Sequence, residues 1–132
     1  MTKNILVIED EVHLQKLISF ILEREGHKVA SASNGQDGLN LLASGYTPDL
    51  VILDILMPGM DGLTVLKHIR ADQKNKNVPV MLLTALAQEN VVLQGTKLGV
   101  KEYIRKPFQP KELAARVAKH LGLTEPTLKE SA

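Results

Sequence analysis

Ile5-Leu6-Val7-Ile8-Glu9-Asp10-Glu11 sets four apolar residues directly before three carboxylates, and two later stretches repeat the apolar part of that pattern. Leu50-Val51-Ile52-Leu53 runs into Asp54, and Val80-Met81-Leu82-Leu83 runs into Thr84. Short unbroken apolar runs of this kind suit strands covered on both faces, as in the middle of a parallel sheet. Lys28-Val29-Ala30-Ser31-Ala32 and Glu102-Tyr103-Ile104-Arg105 mix in polar residues, which suits partly exposed edge strands of the same sheet.

Between these runs the period changes from continuous to helical. Leu14, Leu17, Ile18, Ile21 and Leu22 follow amphipathic spacing, and Gly26 stands where that helix should stop. A second helix is expected after Asn34, turning Leu39 and Leu42 inward. A third starts near Asp61 with Leu63, Leu66 and Ile69. The fourth, near Gln88 to Leu98, contains Gly95, which costs about 1 kcal/mol relative to Ala and should make it the weakest. The fifth opens at Pro110, runs to about Leu121 with Leu113, Ala114 and Val117 facing the core, and closes at Gly122. Five alternations of strand and helix require crossover connections, hence an α/β fold with helices on both faces. With the apolar strands central, the simplest right-handed winding is a doubly wound five-stranded parallel sheet in the order 2-1-3-4-5. One domain over residues 1–122 and a polar C-terminal tail over 123–132 account for the chain.

Composition narrows the function. With 132 residues, no Cys, and 16 Lys plus Arg against 15 Asp plus Glu, the chain needs no disulfide staple and has no thiolate metal site. A net charge of +1 supplies no global field for nucleic acid or an anionic membrane. The aromatics are Phe20, Phe108, Tyr46 and Tyr103, too few for a base-stacking platform. Four apolar residues followed by carboxylates make neither a signal peptide nor a membrane span, so a cytoplasmic protein is expected.

In a doubly wound sheet, ligands bind beyond the carboxyl ends of the strands at the point where the order reverses. Glu9, Asp10, Asp54, Thr84 and Lys106 all fall at such ends. Singly, each would be an ordinary cap or surface residue; five on one rim of an apolar sheet are hard to explain as independent caps. The three carboxylates bring a charge of about −3 against about +1 from Lys106, which a divalent cation would balance. Oxygen ligands without His or Cys favour Mg²⁺, with Asp10 and Asp54 the favoured direct ligands. So loaded, the rim can take a phosphoryl group shared with Lys106 and the Thr84 hydroxyl, which makes Asp54 a nucleophile. His13, His27, His68 and His120 show no metal-binding spacing and are expected on the solvated surface. Lys97, Lys101, Arg105, Lys111, Arg116 and Lys119 read as a solvated basic face that an acidic partner could meet.

Taken together, Ile5 to Glu11, Leu53-Asp54-Ile55-Leu56-Met57-Pro58-Gly59-Met60-Asp61-Gly62, Thr84-Ala85 and Tyr103-Ile104-Arg105-Lys106-Pro107-Phe108 resemble the receiver domain of bacterial two-component response regulators, over roughly residues 3 to 121. The resemblance implies a flavodoxin-like (βα)5 fold similar to the chemotaxis regulators. It implies that Asp54 accepts a phosphoryl group from a phosphohistidine on a sensor kinase or histidine phosphotransfer protein. Mg²⁺ would be held by Asp10, Asp54 and the Leu56 carbonyl, with Glu9 acting mainly through waters. Lys106 would meet the phosphoryl oxygens, and Pro107 would form a cis-proline loop that aims it. Thr84 would swing toward the new phosphate. Tyr103 would turn from exposed to buried, and the face of helix four, strand five and helix five would change for a downstream protein target or an activation-dependent homodimer. Leu56 and Leu86 occupy positions that can orient hydrolytic water; as leucines they offer it no hydrogen bond, so slow self-dephosphorylation is expected. Two rival functions are a receiver-like docking module that never takes phosphate and an aspartyl-phosphate phosphohydrolase. The second usually places its nucleophile on the first strand with another Asp two residues later, and Asp54 is followed instead by Ile55-Leu56.

Overall fold

The computed structural model describes residues 2–85 and 89–123. Strands and helices alternate as β1 (Asn4–Ile8), α1 (Val12–Arg24), β2 (Lys28–Ala32), α2 (Gly35–Ala43), β3 (Leu50–Asp54), α3 (Gly62–Ala71), β4 (Val80–Thr84), α4 (Glu89–Lys97), β5 (Glu102–Arg105) and α5 (Pro110–His120). The strands form one sheet, all pairs parallel, in the order β2-β1-β3-β4-β5. The winding expected from the three apolar runs is therefore the one adopted.

Strand alternation divides the core in two. Ile5, Val7, Leu50, Ile52, Met81, Leu83 and Ile104 pack with Ile18, Ile21 and Leu22 of α1 and Leu113, Ala114 and Val117 of α5. Leu6, Ile8, Val51, Leu53, Val80 and Leu82 face the other way, onto Leu42, Val65, Leu66, Ile69 and Val91 of α2, α3 and α4. Because helices cover both faces, successive residues of a central strand are buried alike, which is why these strands are continuous apolar runs.

Helix starts are set by side chains that accept otherwise unpaired backbone N–H groups. Asn34 accepts from Asp37 N (2.8 Å) at α2, and Asp61 accepts from Thr64 N (2.9 Å) at α3. At α5, Gln109 makes no side-chain cap bond, and Pro110 at the first position removes one of the donors that would need a partner. Gly26 and Gly122 end α1 and α5 with φ of +90° and +72°, a left-handed conformation that glycine adopts without a Cβ penalty.

The burial of several single side chains departs from expectation, that of His120 among them. Leu17 is 43% exposed, because it falls at the edge of the arc on which Ile18, Ile21 and Leu22 meet the sheet. His27 is not solvated: it enters β2 with its side chain buried and its Nδ1 without a hydrogen-bond partner, and burial holds its imidazole below the usual range. His13 and His68 are exposed, and His120 is half-buried. No helix among the described residues is long and apolar enough to cross a membrane. The tail from residue 124 onward lies outside the described residues.

Candidate functional site

Register brings the strand ends together. Ile8 lies opposite Leu53, so Glu9 and Asp54, the next residue on each strand, emerge side by side. Asp54 in turn lies opposite Leu83, so β3 and β4 each finish one residue beyond the strand before them, and β5 ends level with β4, Thr84 opposite Arg105. With neighbouring strands about 4.8 Å apart, the carboxylates after β1 and at the end of β3 meet the lysine of the loop after β5 in one notch, beside the end of β4.

The three carboxylates after β1 have different tasks. Glu11 caps α1, accepting from His13 N (3.0 Å) and Leu14 N (2.8 Å), and those bonds hold its carboxyl below the usual range. It is therefore occupied. Glu9 is wholly buried; its Oε2 accepts from Glu11 N (3.0 Å), while Oε1 has no hydrogen-bond partner and lies 3.5 Å from Lys106 Nζ. Burial, reinforced by the neighbouring Asp54 charge, pushes the Glu9 carboxyl up to about 7 against the pull of the Glu11 N–H and Lys106. Asp10 is half-buried.

Asp54 closes β3, is 2% exposed, and lies 3.0 Å from Lys106 Nζ. One ammonium is thus shared between two buried carboxylates. The Lys106–Pro107 peptide bond is cis, and Lys106 N donates to Thr84 O (2.7 Å), tying the lysine's loop to the end of β4. Thr84 is itself buried there. Leu56 exposes 64% of its surface beside the notch, and its N–H donates to Asp54 Oδ1 at 3.4 Å. Leu86 lies outside the described residues.

Glu9, Asp10 and Asp54 each offer a carboxylate oxygen, and these atoms lie within 4.8 Å of one another. A buried Glu9 oxygen that accepts no hydrogen bond, in a wholly oxygen donor set, fits a hard divalent cation such as Mg²⁺.

Two supporting residues escaped the sequence reading. Gln15 of α1 donates from Nε2 to Glu9 O (3.0 Å) and Ala32 O (3.2 Å), clamping the ends of β1 and β2 that carry the acidic turn. Nothing in the helical pattern distinguishes this glutamine from a solvated one. Gly62 opens α3 against the backbone of Asp54 and Ile55, and its N–H donates to Ile55 O (2.8 Å). The Asp61-Gly62 pair is visible as a helix start, but the close approach behind it is not.

Tyr103 is already half-buried against α4, its hydroxyl within 3.0 Å of both Val92 O and Thr96 Oγ1. Gly95 makes this possible: a Cβ there would stand 2.8 Å from Tyr103 Oη and 3.1 Å from Leu82 Cδ1. The glycine expected only to weaken α4 is thus the seat of the tyrosine. Gly95→Ala should recover about 1 kcal/mol of helix propensity while displacing the ring, leaving net stability within about 1 kcal/mol of the parent. The Tyr103 ring resonances should shift strongly; unchanged resonances would show that Gly95 does not govern its placement.

Residues 5–118 match the family model described as the response regulator receiver domain. The chain is 37% identical over 117 residues to the phosphate regulon transcriptional regulatory protein PhoB of Escherichia coli K12, covering 89% of this chain and 51% of that protein. It is 39% identical over 125 residues to the alkaline phosphatase synthesis transcriptional regulatory protein PhoP of Bacillus subtilis 168, covering 95% of this chain and 51% of that protein. A crystal structure of a putative response regulator from Chloroflexus aurantiacus J-10-fl superimposes with a TM-score of 0.84 at 30% identity, covering 92% of this chain and 99% of that one. The doubly wound sheet, with carboxylates and a lysine gathered at its switch point, and the family match point to one class. The chain is a member of the response regulator receiver family of two-component signal transduction. It spans about half the length of the curated relatives it matches.

Proposed function

We propose that this receiver domain takes a phosphoryl group onto Asp54 from a phosphohistidine on a sensor kinase or histidine phosphotransfer protein. The observation that carries the reading is the buried Asp54 carboxylate, 3.0 Å from Lys106 Nζ and grouped with the carboxylates of Glu9 and Asp10. An Asp54 oxygen attacks phosphorus, the P–O bond forms as the N–P bond to imidazole breaks, and the departing imidazole takes up a proton. Asp10, Asp54 and the Leu56 carbonyl would hold Mg²⁺, with Glu9 behind them. When bound, the ion neutralises charge developing on the phosphoryl oxygens. Lys106 then exchanges its carboxylate partners for phosphoryl oxygens, and Thr84, tied to Lys106 through the backbone, is drawn toward them. The Tyr103 contacts with Val92 and Thr96 are the starting state that such a movement would release. The exposed Leu56 presents no hydrogen-bonding group to water, consistent with a long-lived acyl phosphate. The downstream target is a protein, and the setting is the cytoplasm.

Incubation with a small-molecule phosphoryl donor and Mg²⁺ tests this. Mass spectrometry should show one added phosphoryl group, labile to hydroxylamine and dependent on Mg²⁺. No addition, or a hydroxylamine-stable one, would refute the assignment.

The Glu9 carboxyl supplies a second check. Its pKa in the fold is about 7, above the ordinary 4.5, so the protonated form is the one the fold favours. Its contribution is full below pH 4.5 and is lost as pH rises toward about 7. Metal-free protein should therefore lose stability across that window, Mg²⁺ should restore more of it at the upper end, and Glu9→Gln should flatten the slope. Parallel pH profiles of unfolding for parent and Glu9→Gln would contradict this.

A further inference from the structure

At the opposite, amino-terminal rim of the sheet lies a cleft of about 450 Å³ between the end of α3, the turn before β5 and the end of α5. Arg70, Gly99, Lys101, Glu102, Lys119 and His120 are among the residues that line it. None of them belongs to the notch around Asp54.

Arg70 forms its fixed part. Nε donates to Leu98 O, and Nη1 donates to Val78 O (2.6 Å) and Lys76 O (3.3 Å), so three backbone carbonyls pin the guanidinium. Its Nη2 has no hydrogen-bond partner among the described residues, and it is not one of their buried unpartnered atoms; it reaches solvent. Gly99, at φ +84°, passes beside the guanidinium, close enough that a Cβ there would be in ordinary contact with Arg70 Nε and Nη2. A planar donor already held in place loses little further freedom on meeting an oxyanion.

The surrounding charge has the matching sign. Lys101 and Lys119 are exposed, and neither pairs with a carboxylate among the described residues. Glu102, the acidic residue of the lining, is already engaged by Arg116. Half-buried His120 adds a ring N–H, and burial keeps it from adding much charge at neutral pH. Two free ammonium groups and a pinned guanidinium thus face a cleft larger than one phosphate needs.

We propose that this cleft binds a diphosphate group, free or carried by a nucleotide, with Arg70 as the fixed donor and Lys101 and Lys119 as the charge partners. Charge-assisted hydrogen bonds from three cations favour a multivalent oxyanion over a monovalent one.

The test uses the whole chain carrying Asp54→Asn, without Mg²⁺, so that neither phosphorylation nor its site contributes and a failure here leaves the phosphoacceptor reading untouched. Pyrophosphate, orthophosphate and ADP are titrated by calorimetry and amide chemical shifts at an ionic strength near 0.1 M, where diffuse attraction is largely screened beyond about 10 Å. One saturable site is expected, with shifts at Gly99 to Glu102 and at His120, and pyrophosphate binding more tightly than orthophosphate. ADP binding more tightly than pyrophosphate would assign the source as a nucleotide; equal or weaker binding would assign the free anion. Lys101→Ala with Lys119→Ala should weaken binding about tenfold or more. Lys97→Ala with Lys111→Ala removes the same charge from outside the cleft and should change affinity less than about twofold. Absence of saturation at millimolar pyrophosphate, or equal weakening by the two double variants, would overturn the proposal.

Discussion

Asp54→Asn should take up no phosphoryl group under conditions that label the parent, and in metal-free buffer at neutral pH it should be the more stable of the two. The first result follows from chemistry, since a carboxamide is not a nucleophile toward phosphorus. The second follows from the notch. Glu9 and Asp54, both buried, share a single Lys106 ammonium at 3.5 and 3.0 Å. Neutralising Asp54 leaves one carboxylate with one ammonium and removes a charge that raises the Glu9 carboxyl. The new amide oxygen keeps an acceptor for Leu56 N and Lys106, so little packing is lost. A gain on the order of 1 kcal/mol is expected in denaturant unfolding with chelator present, together with loss of most of the stabilisation by Mg²⁺. If the parent proved the more stable without metal, the like-charge crowding inferred here would not be what the fold bears.

Gly62→Ala should be the most damaging single methyl group in the domain's notch. The new Cβ would stand 2.3 Å from Asp54 O, 2.7 Å from Ile55 Cα and 3.0 Å from Asp54 C, and all three are backbone atoms at the end of β3. Nothing there can rotate aside. The start of α3 must retreat or the end of β3 must shift, at a cost of about 3 kcal/mol or more, and either movement displaces the phosphoacceptor. Gly38→Ala is the comparison. Its nearest neighbours would be Ile8 Cδ1 at 2.4 Å and Cγ1 at 2.9 Å, close but on one side chain that can shift, with no backbone atom among them. A cost of about 1 kcal/mol and unaltered labelling are expected. Equal unfolding free energies for the two variants, with equal labelling rates, would show that the β3–α3 junction is softer than its packing implies.

Architecture was legible because hydrophobic period and punctuation act locally. Ile5–Ile8, Leu50–Leu53 and Val80–Leu83 suit doubly covered strands, and Asn34, Asp61 and Pro110 mark helix starts by groups they offer or remove within one turn. The list of rim residues was also legible, since strand ends follow from strand identity. Burial of single side chains was less so. Leu17 fits the helical spacing yet sits at the edge of the arc, and His27 lies at a strand entrance where polarity alone suggests solvent. Gly95 marks a weak helix in any propensity scale; only the neighbouring strand reveals that it makes room for Tyr103.

By itself, then, the order of residues determined the strands and helices, the parallel winding their alternation favours and which polar side chains would finish the strands, because apolar pattern, local punctuation and the handedness of crossover connections set those properties. Which of Glu9, Asp10 and Glu11 caps a helix and which enters the notch, how Lys106 divides itself between two carboxylates, why Gly62 admits no side chain and why Gly95 leaves room for Tyr103 were decided only in three dimensions. Those outcomes depend on register and close approach between segments far apart in the chain, and distances of a few ångströms across strands leave no mark on local sequence.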